Sequence, residues 1–97
     1  MSKMIIEQSY IDIKAGMGDR YIAMFPAFKA ILMSLPGAIS TRLLRNQAKA
    51  DSFICCMQWE SSEHKQIFIA DPRLKEWAVD FWPLVADEKI DYFDEAG

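Results

Sequence analysis

Basic residues are few in this sequence, and the 11 lysines and arginines are scattered among 14 acidic residues, giving a net charge of -3. Nucleic-acid binding needs dense positive charge to displace counterions, so that class is excluded. No apolar run approaches the ~20 residues of a membrane span, and the N-terminus, MSKMIIEQSYIDIK, is broken by charges in every short window. Neither a membrane segment nor a signal peptide is expected. Cysteine is limited to Cys55 and Cys56, neighbours in a stretch that reads as a strand. Successive strand side chains point to opposite faces and cannot easily bridge, so a reduced, cytoplasmic protein is expected. The sequence also has no internal repeat, linker or low-complexity tract.

What is present is apolar: 52% of 97 residues are hydrophobic, which suits one small domain over residues 1–97 with a single modest core. Residues 4–13 mix polar and apolar side chains with β-branched isoleucines, and AGMGD then supplies a turn. Tyr21, Met24, Phe25, Phe28, Ile31, Leu32 and Leu35 fall three and four apart, the spacing of a helix. Pro26 lies within that pattern and should kink it, because proline has no N–H to donate. Pro36 and Gly37 stop the helix. Strands through AISTRLLRN and SFICCMQWE follow, joined by QAKAD as a hairpin. Ser61 or Ser62 can cap a second helix, with Glu63 favourable at its positive end. Asp71-Pro72 interrupts that helix, RLKEWAVDFW resumes it, Pro83 ends it, and KIDYF forms a last short strand.

The resulting order is βαββαβ. Right-handed crossovers make this an α+β, ferredoxin-like fold, a four-stranded antiparallel sheet with two helices on one face. In the third strand Phe53, Cys55, Met57 and Trp59 share one face, while Ile54 and Cys56 lie on the other. Both faces are therefore partly apolar. Helices cover only one of them in so short a chain, so the other needs a partner, and a homodimer packed sheet on sheet is expected.

Four short stretches, KAGMGD before the first helix, LPGAIS opening the second strand, QWESSE at the strand-to-helix junction and ADPRLKEW in the second helix, together resemble the antibiotic biosynthesis monooxygenase domain of the dimeric α+β barrel superfamily. The resemblance spans nearly the whole chain. It implies a dimeric ferredoxin-like fold with a pocket in each subunit between sheet and helices. It also implies, for one branch, oxygenation of aromatic polyketides by molecular oxygen with neither metal nor flavin. Other branches degrade haem, rearrange small lactones or act on signalling molecules, and fold membership does not choose among them.

Carried over residue by residue, the tryptophan of the oxygenase branch is matched by Trp59. Its asparagine position is occupied by Cys55, its tyrosine position by Lys65 or His64, and its arginine position lies near Ala78. The haem-degrading branch places a histidine where Trp77 and Ala78 stand, so its axial ligand is missing. No metal and no cofactor are expected.

Oxygenation without a cofactor needs a phenol or enol that loses a proton and then gives an electron to oxygen, with oriented donors holding the oxyanion. The Trp59 indole N–H is a candidate donor, and the competing reading is a core plug. His64 and Lys65 are the candidate proton-transfer groups, against the alternative that His64 is a solvent-facing residue of the first helical turn. Ser9, Tyr10, Met24, Phe28, Cys55, Met57 and Trp77 are the candidate substrate contacts. Tyr10 and Ser9 depend on strand register, since a slip of one residue reverses which of them faces the pocket. Cys55 lacks the base or helix N-terminus that would activate a thiol, and so reads as packing. The expectation is an oxygenase for a small hydrophobic or aromatic metabolite. The alternatives are a binding domain that has lost catalysis, or an isomerase or lyase using the same pocket.

Overall fold

In a computed structural model, which describes residues 3–97, the chain runs β1 (Ile5–Ile13), α1 (Gly18–Met33), β2 (Ala38–Arg45), β3 (Ser52–Trp59), α2 (Ser62–Ala70), α3 (Pro72–Phe81), a single 3-10 turn (Trp82–Leu84) and β4 (Val85–Phe93). The strands form one sheet in the order β2-β3-β1-β4, with each neighbouring pair antiparallel. This is the ferredoxin-like α+β arrangement expected. The second helical segment divides into α2 and α3 at Asp71-Pro72.

Each break has a local cause. Ser61 caps α2 by accepting a hydrogen bond from the His64 amide at 3.3 Å. Asp71 caps α3 by accepting one from the Arg73 amide at 2.8 Å, and Pro72 occupies the first helical turn, where a missing N–H costs nothing. The start of α1 has no side-chain cap of its own. Asp51, from the β2–β3 turn, takes that role: its carboxylate accepts from the Gly16 and Gly18 amides at 3.1 and 2.9 Å. A Cβ at Gly18 would lie 2.6 Å from that carboxylate, so the contact requires glycine. α1 runs unbroken across Pro26.

β4 is longer than KIDYF. It begins at Val85 and pairs with β1 along its length, from Ile13↔Val85 to Ile6↔Phe93. Ala86, Asp87 and Glu88 carry no strand signal of their own because β4 is an edge strand, where polar residues are tolerated on both faces.

The core lies between the sheet and the helices. Leu32, Trp59 and Tyr21 are its most deeply buried large side chains, and aromatic contacts tie its layers together. Tyr21 meets Phe53 edge-on at 5.0 Å, Phe28 meets Phe68 edge-on at 5.5 Å, and Trp77 stacks on Phe81 at 4.9 Å. Such pairs add about 0.5–1.5 kcal/mol each beyond the area they bury. The Trp77 indole N–H donates to the Met24 carbonyl at 2.9 Å, fixing α3 to α1.

Candidate active site

Strand alternation decides what faces the helices. On β1 those residues are Glu7, Ser9 and Ile11. In register with them stand Met57, Cys55 and Phe53 on β3, and Tyr92, Ile90 and Glu88 on β4. Between this wall and the helices lies a cavity of about 340 Å³. Its walls are chiefly apolar: Met57 and Trp59 from β3, Phe28 from α1, Phe68 from α2, Trp77 and Phe81 from α3. The exposed side chains of Trp82 and Tyr92 also line it, so the cavity reaches the surface beside the edge strand β4.

Charged groups enter this apolar space from the sheet and from α2, and the exposed Lys75 of α3 also lines it. Lys65 extends from α2 toward β1 and places Nζ 2.9 Å from Oε1 of Glu7, with both side chains largely buried. The same ammonium donates to the Tyr92 hydroxyl and sits 4.1 Å from the centre of the Tyr92 ring. Burial alone would lower the lysine pKa, but hydrogen bonds to Tyr92 and Glu7, with the Glu7 charge, outweigh it and leave the pKa raised. Lys65 is thus held as a cation. Next to it the Ser9 hydroxyl donates to Glu88 Oε2 at 3.2 Å.

Two further groups on the wall are held neutral. Burial pushes the Cys55 thiol up to about 12, against a smaller opposing effect of its hydrogen bond with Thr41, so no thiolate forms near neutrality. Burial likewise raises the Tyr21 phenol, with the nearby Cys55 and Glu88 adding to the effect. Trp59 presents the opposite situation. Its ring is 1% exposed and lines the cavity, yet its Nε1 is buried with no hydrogen-bond partner, the one such side-chain nitrogen or oxygen among the described residues. An unmet buried donor costs about 1–3 kcal/mol, so an acceptor that reached it would recover that cost.

The sequence profile of the antibiotic biosynthesis monooxygenase family matches residues 4–79, most of this chain. The chain belongs to that family. No curated protein matches it. Among solved structures, SnoaB, a cofactor-independent oxygenase from Streptomyces nogalater, superposes with a TM-score of 0.88 at 17% identity, over 99% of this chain and 96% of that one. A candidate antibiotic biosynthesis monooxygenase from Nitrosomonas europaea gives 0.89 at 10% identity, over 98% and 92% of the two chains. PA3566 from Pseudomonas aeruginosa gives 0.88 at 15%, over 100% and 98%. At these identities the likeness establishes the fold.

Within this family member, the cavity brings together Ser9, Phe28, Cys55, Met57, Trp59, Lys65 and Trp77 from the expected set. Three others lie elsewhere. Tyr10 projects from the opposite face of β1, where its hydroxyl donates to Gln8 Oε1 at 3.3 Å; the register favours Ser9. Met24 does not line the cavity, and its carbonyl serves as the acceptor for Trp77. His64 packs its ring against Gly37, where φ is +80° and a Cβ would collide with the imidazole, and its Nδ1 lies 2.7 Å from Ser61 Oγ. It closes the start of α2 and does not reach the cavity.

Sequence reasoning missed Glu7, Glu88 and Tyr92. Glu7 sits at the buried phase of β1 between Ile5 and Ser9, and a carboxylate at a core-facing strand position was the available signal. Glu88 required the full extent of β4, which the sequence did not reveal, and Tyr92, within the expected strand KIDYF, required the register that sets it opposite Glu7. No helix is long and apolar enough to cross a membrane, and no group of three or more His, Cys, Asp or Glu that could hold a metal occurs among the described residues.

Proposed function

We propose that the protein is a cofactor-independent monooxygenase acting on a small aromatic metabolite with an ionisable oxygen. The observation that carries this reading is the cavity itself: aromatic and aliphatic walls with a buried polar cluster of Glu7, Lys65 and Tyr92 among them, the form of a site that grips a flat apolar body and orients one polar edge. For a substrate with a methylene between aromatic rings, enolisation and proton loss give a carbanion that attacks molecular oxygen. The resulting peroxide then breaks its O–O bond as the remaining C–H bond is lost. One methylene and one oxygen molecule thus yield one ketone and one water. The protein's part is to hold the ring, stabilise the anion and keep bulk water out.

In this reading Trp59 orients the substrate through its indole N–H. A small turn of the ring, favoured by the unmet donor, presents that N–H to a substrate oxygen. Met57, Phe28 and Trp77 form the apolar clamp. Lys65, being cationic, supports the anion rather than removing the proton. The open face of the sheet, with Ile6, Tyr10, Ile54, Cys56, Leu44 and Phe93, supports a homodimer formed sheet on sheet.

An oxygen electrode with a panel of anthrones and naphthols tests the reading. One oxygen molecule should disappear per quinone formed, and Trp59→Phe should slow turnover about 100-fold, the effect of removing one donor to a developing oxyanion. A second reading, a binding domain without catalysis, draws on Cys55 and Ala78, which stand on the cavity wall where the oxygenase branch is expected to carry an amide and a guanidinium. In that case aromatic ligands raise the melting temperature and no oxygen is consumed. Product formed under nitrogen would instead indicate an isomerase or lyase.

A further inference from the structure

The polar cluster in the cavity carries a more specific statement about which substrates fit. Lys65 brings one positive charge and Glu7 one negative charge to the same place, 2.9 Å apart and largely shielded from water. Tyr92 completes the group by accepting from the ammonium and covering it with its ring. All three line the cavity. An ammonium has three N–H donors; two are directed at Glu7 and Tyr92, and the Tyr92 hydroxyl keeps its own proton to donate. The group therefore offers a carboxylate that can accept a proton beside two donors that can hold an oxyanion.

We propose that Glu7, Lys65 and Tyr92 form a proton-exchange subsite that selects a neutral substrate bearing an acidic O–H, a phenol or an enol, and rejects carboxylates. Charge conservation carries the argument. In the empty site Lys65 is neutralised by Glu7. When a bound phenol passes its proton to the Glu7 carboxylate, the O–H bond of the substrate breaks and one forms on Glu7. Lys65 then exchanges one counter-ion for another, and the cavity keeps its net charge. A permanently ionised carboxylate adds a negative charge to a space whose lining already sets two carboxylates, Glu7 and Glu88, against two ammonium groups, Lys65 and the exposed Lys75, and a shielded charge with no counter-ion of its own is costly. This deepens the oxygenase reading and rests on it only for the later fate of the anion.

4-Nitrophenol, whose phenolate is yellow, and 4-nitrobenzoate, a permanent anion of the same shape, are the probes, used under nitrogen so that turnover plays no part. The wild-type protein should bind 4-nitrophenol in preference to 4-nitrobenzoate and lower its ionisation midpoint by about 1–3 pH units, the effect of a close opposite charge. Lys65→Met should abolish that shift, and Tyr92→Phe should reduce it. Glu7→Gln leaves Lys65 without its counter-ion, so affinity should switch toward 4-nitrobenzoate by about tenfold or more. A merely structural Glu7 would not produce that reversal. Should Lys65→Met unfold because Glu7 is left unpaired, the double variant Glu7→Gln with Lys65→Met removes both charges and should bind the two probes without an ionisation shift.

An unshifted midpoint in the wild type, equal affinity for the two probes, binding of neither, or a Glu7→Gln variant with unchanged preference would overturn the proposal. A shifted midpoint with no oxygen uptake on any phenol leaves the subsite standing and removes the oxygenase. Oxygen uptake that survives Lys65→Met and Glu7→Gln unchanged does the reverse.

Discussion

On the helix side of the sheet, β3 presents Phe53, Cys55, Met57 and Trp59, all buried; on the other side it presents Ser52, Ile54, Cys56 and Gln58, all half-buried. The same eight residues of backbone thus build both the wall of a cavity and an open surface. The difference lies in what covers each face. α1, α2 and α3 cover one and bring their aromatic side chains to it, so substitutions there act on the core. Nothing within the described chain covers the other, whose apolar residues Ile54 and Leu44 are paired across β3 and β2 with polar Arg42 and Gln58 as neighbours. The first face is complete in one subunit, whereas the second is finished by association in the proposed dimer.

The largest test of this contrast is a pair of truncations one residue apart. Phe53→Ala removes a ring that is 2% exposed and should cost about 3–5 kcal/mol in urea unfolding, through lost burial and the void left behind. Ile54→Ala, at dilutions that hold the subunits apart, should cost about 1 kcal/mol or less. Similar losses at the two positions would mean that the faces are not distinct in the way described.

A second test targets association. Ile54→Lys places a charge in the middle of the open face and should convert a dimer into a monomer in sedimentation equilibrium, with the cavity still able to bind an aromatic ligand. A dimer that persists would move the interface off this face.

The smallest effect concerns the two thiols. Cys55, with its pKa raised from 9.0 to about 12, keeps its proton in the folded protein at pH values where the unfolded chain has lost it. The unfolded state then binds fewer protons than the native one, so stability should fall as pH rises above 9.0, toward a slope of about 1.4 kcal/mol per unit for this one group. Cys55→Ala should flatten that decline between about pH 9 and 10, below the range in which Tyr21 adds its own contribution. An identical slope in the variant would show that the thiol is not the group responsible. Cys55 should also resist thiol reagents in the native state, while Cys56, half-buried on the open face, should react in the monomeric Ile54→Lys variant.

Much of this contrast is legible in the chain itself. The strict alternation of SFICCMQW, the caps at Ser61 and Asp71 and the proline–glycine stop at 36–37 each follow from local rules: period-two burial, orphan amides at helix starts, and the missing N–H of proline. Local rules also place Trp59 on the same face as Cys55 and Met57. They fail where a position depends on a distant segment. Asp51 caps a helix whose first residue, Gly18, lies 33 positions away, a relation visible only after the hairpin folds back on α1. His64 has the chemistry of a proton-transfer group, but the turn of α2 directs its ring to Gly37.

The sequence by itself determined the βαββαβ order and the faces of β3, because hydrophobic periodicity, capping and turn chemistry are properties of neighbouring residues. Only the tertiary structure decided the site. Glu7, Lys65 and Tyr92 come from β1, α2 and β4, far apart along the chain, and their meeting depends on strand register and on how far β4 extends along β1. A one-residue slip would have turned Glu7 out of the cavity and brought Tyr10 into it. Glu7 and Lys65, whose charges would be ordinary on the surface of separate elements, form the core of the proposed proton-exchange group because folding places them together, largely away from water, where their interaction is strong.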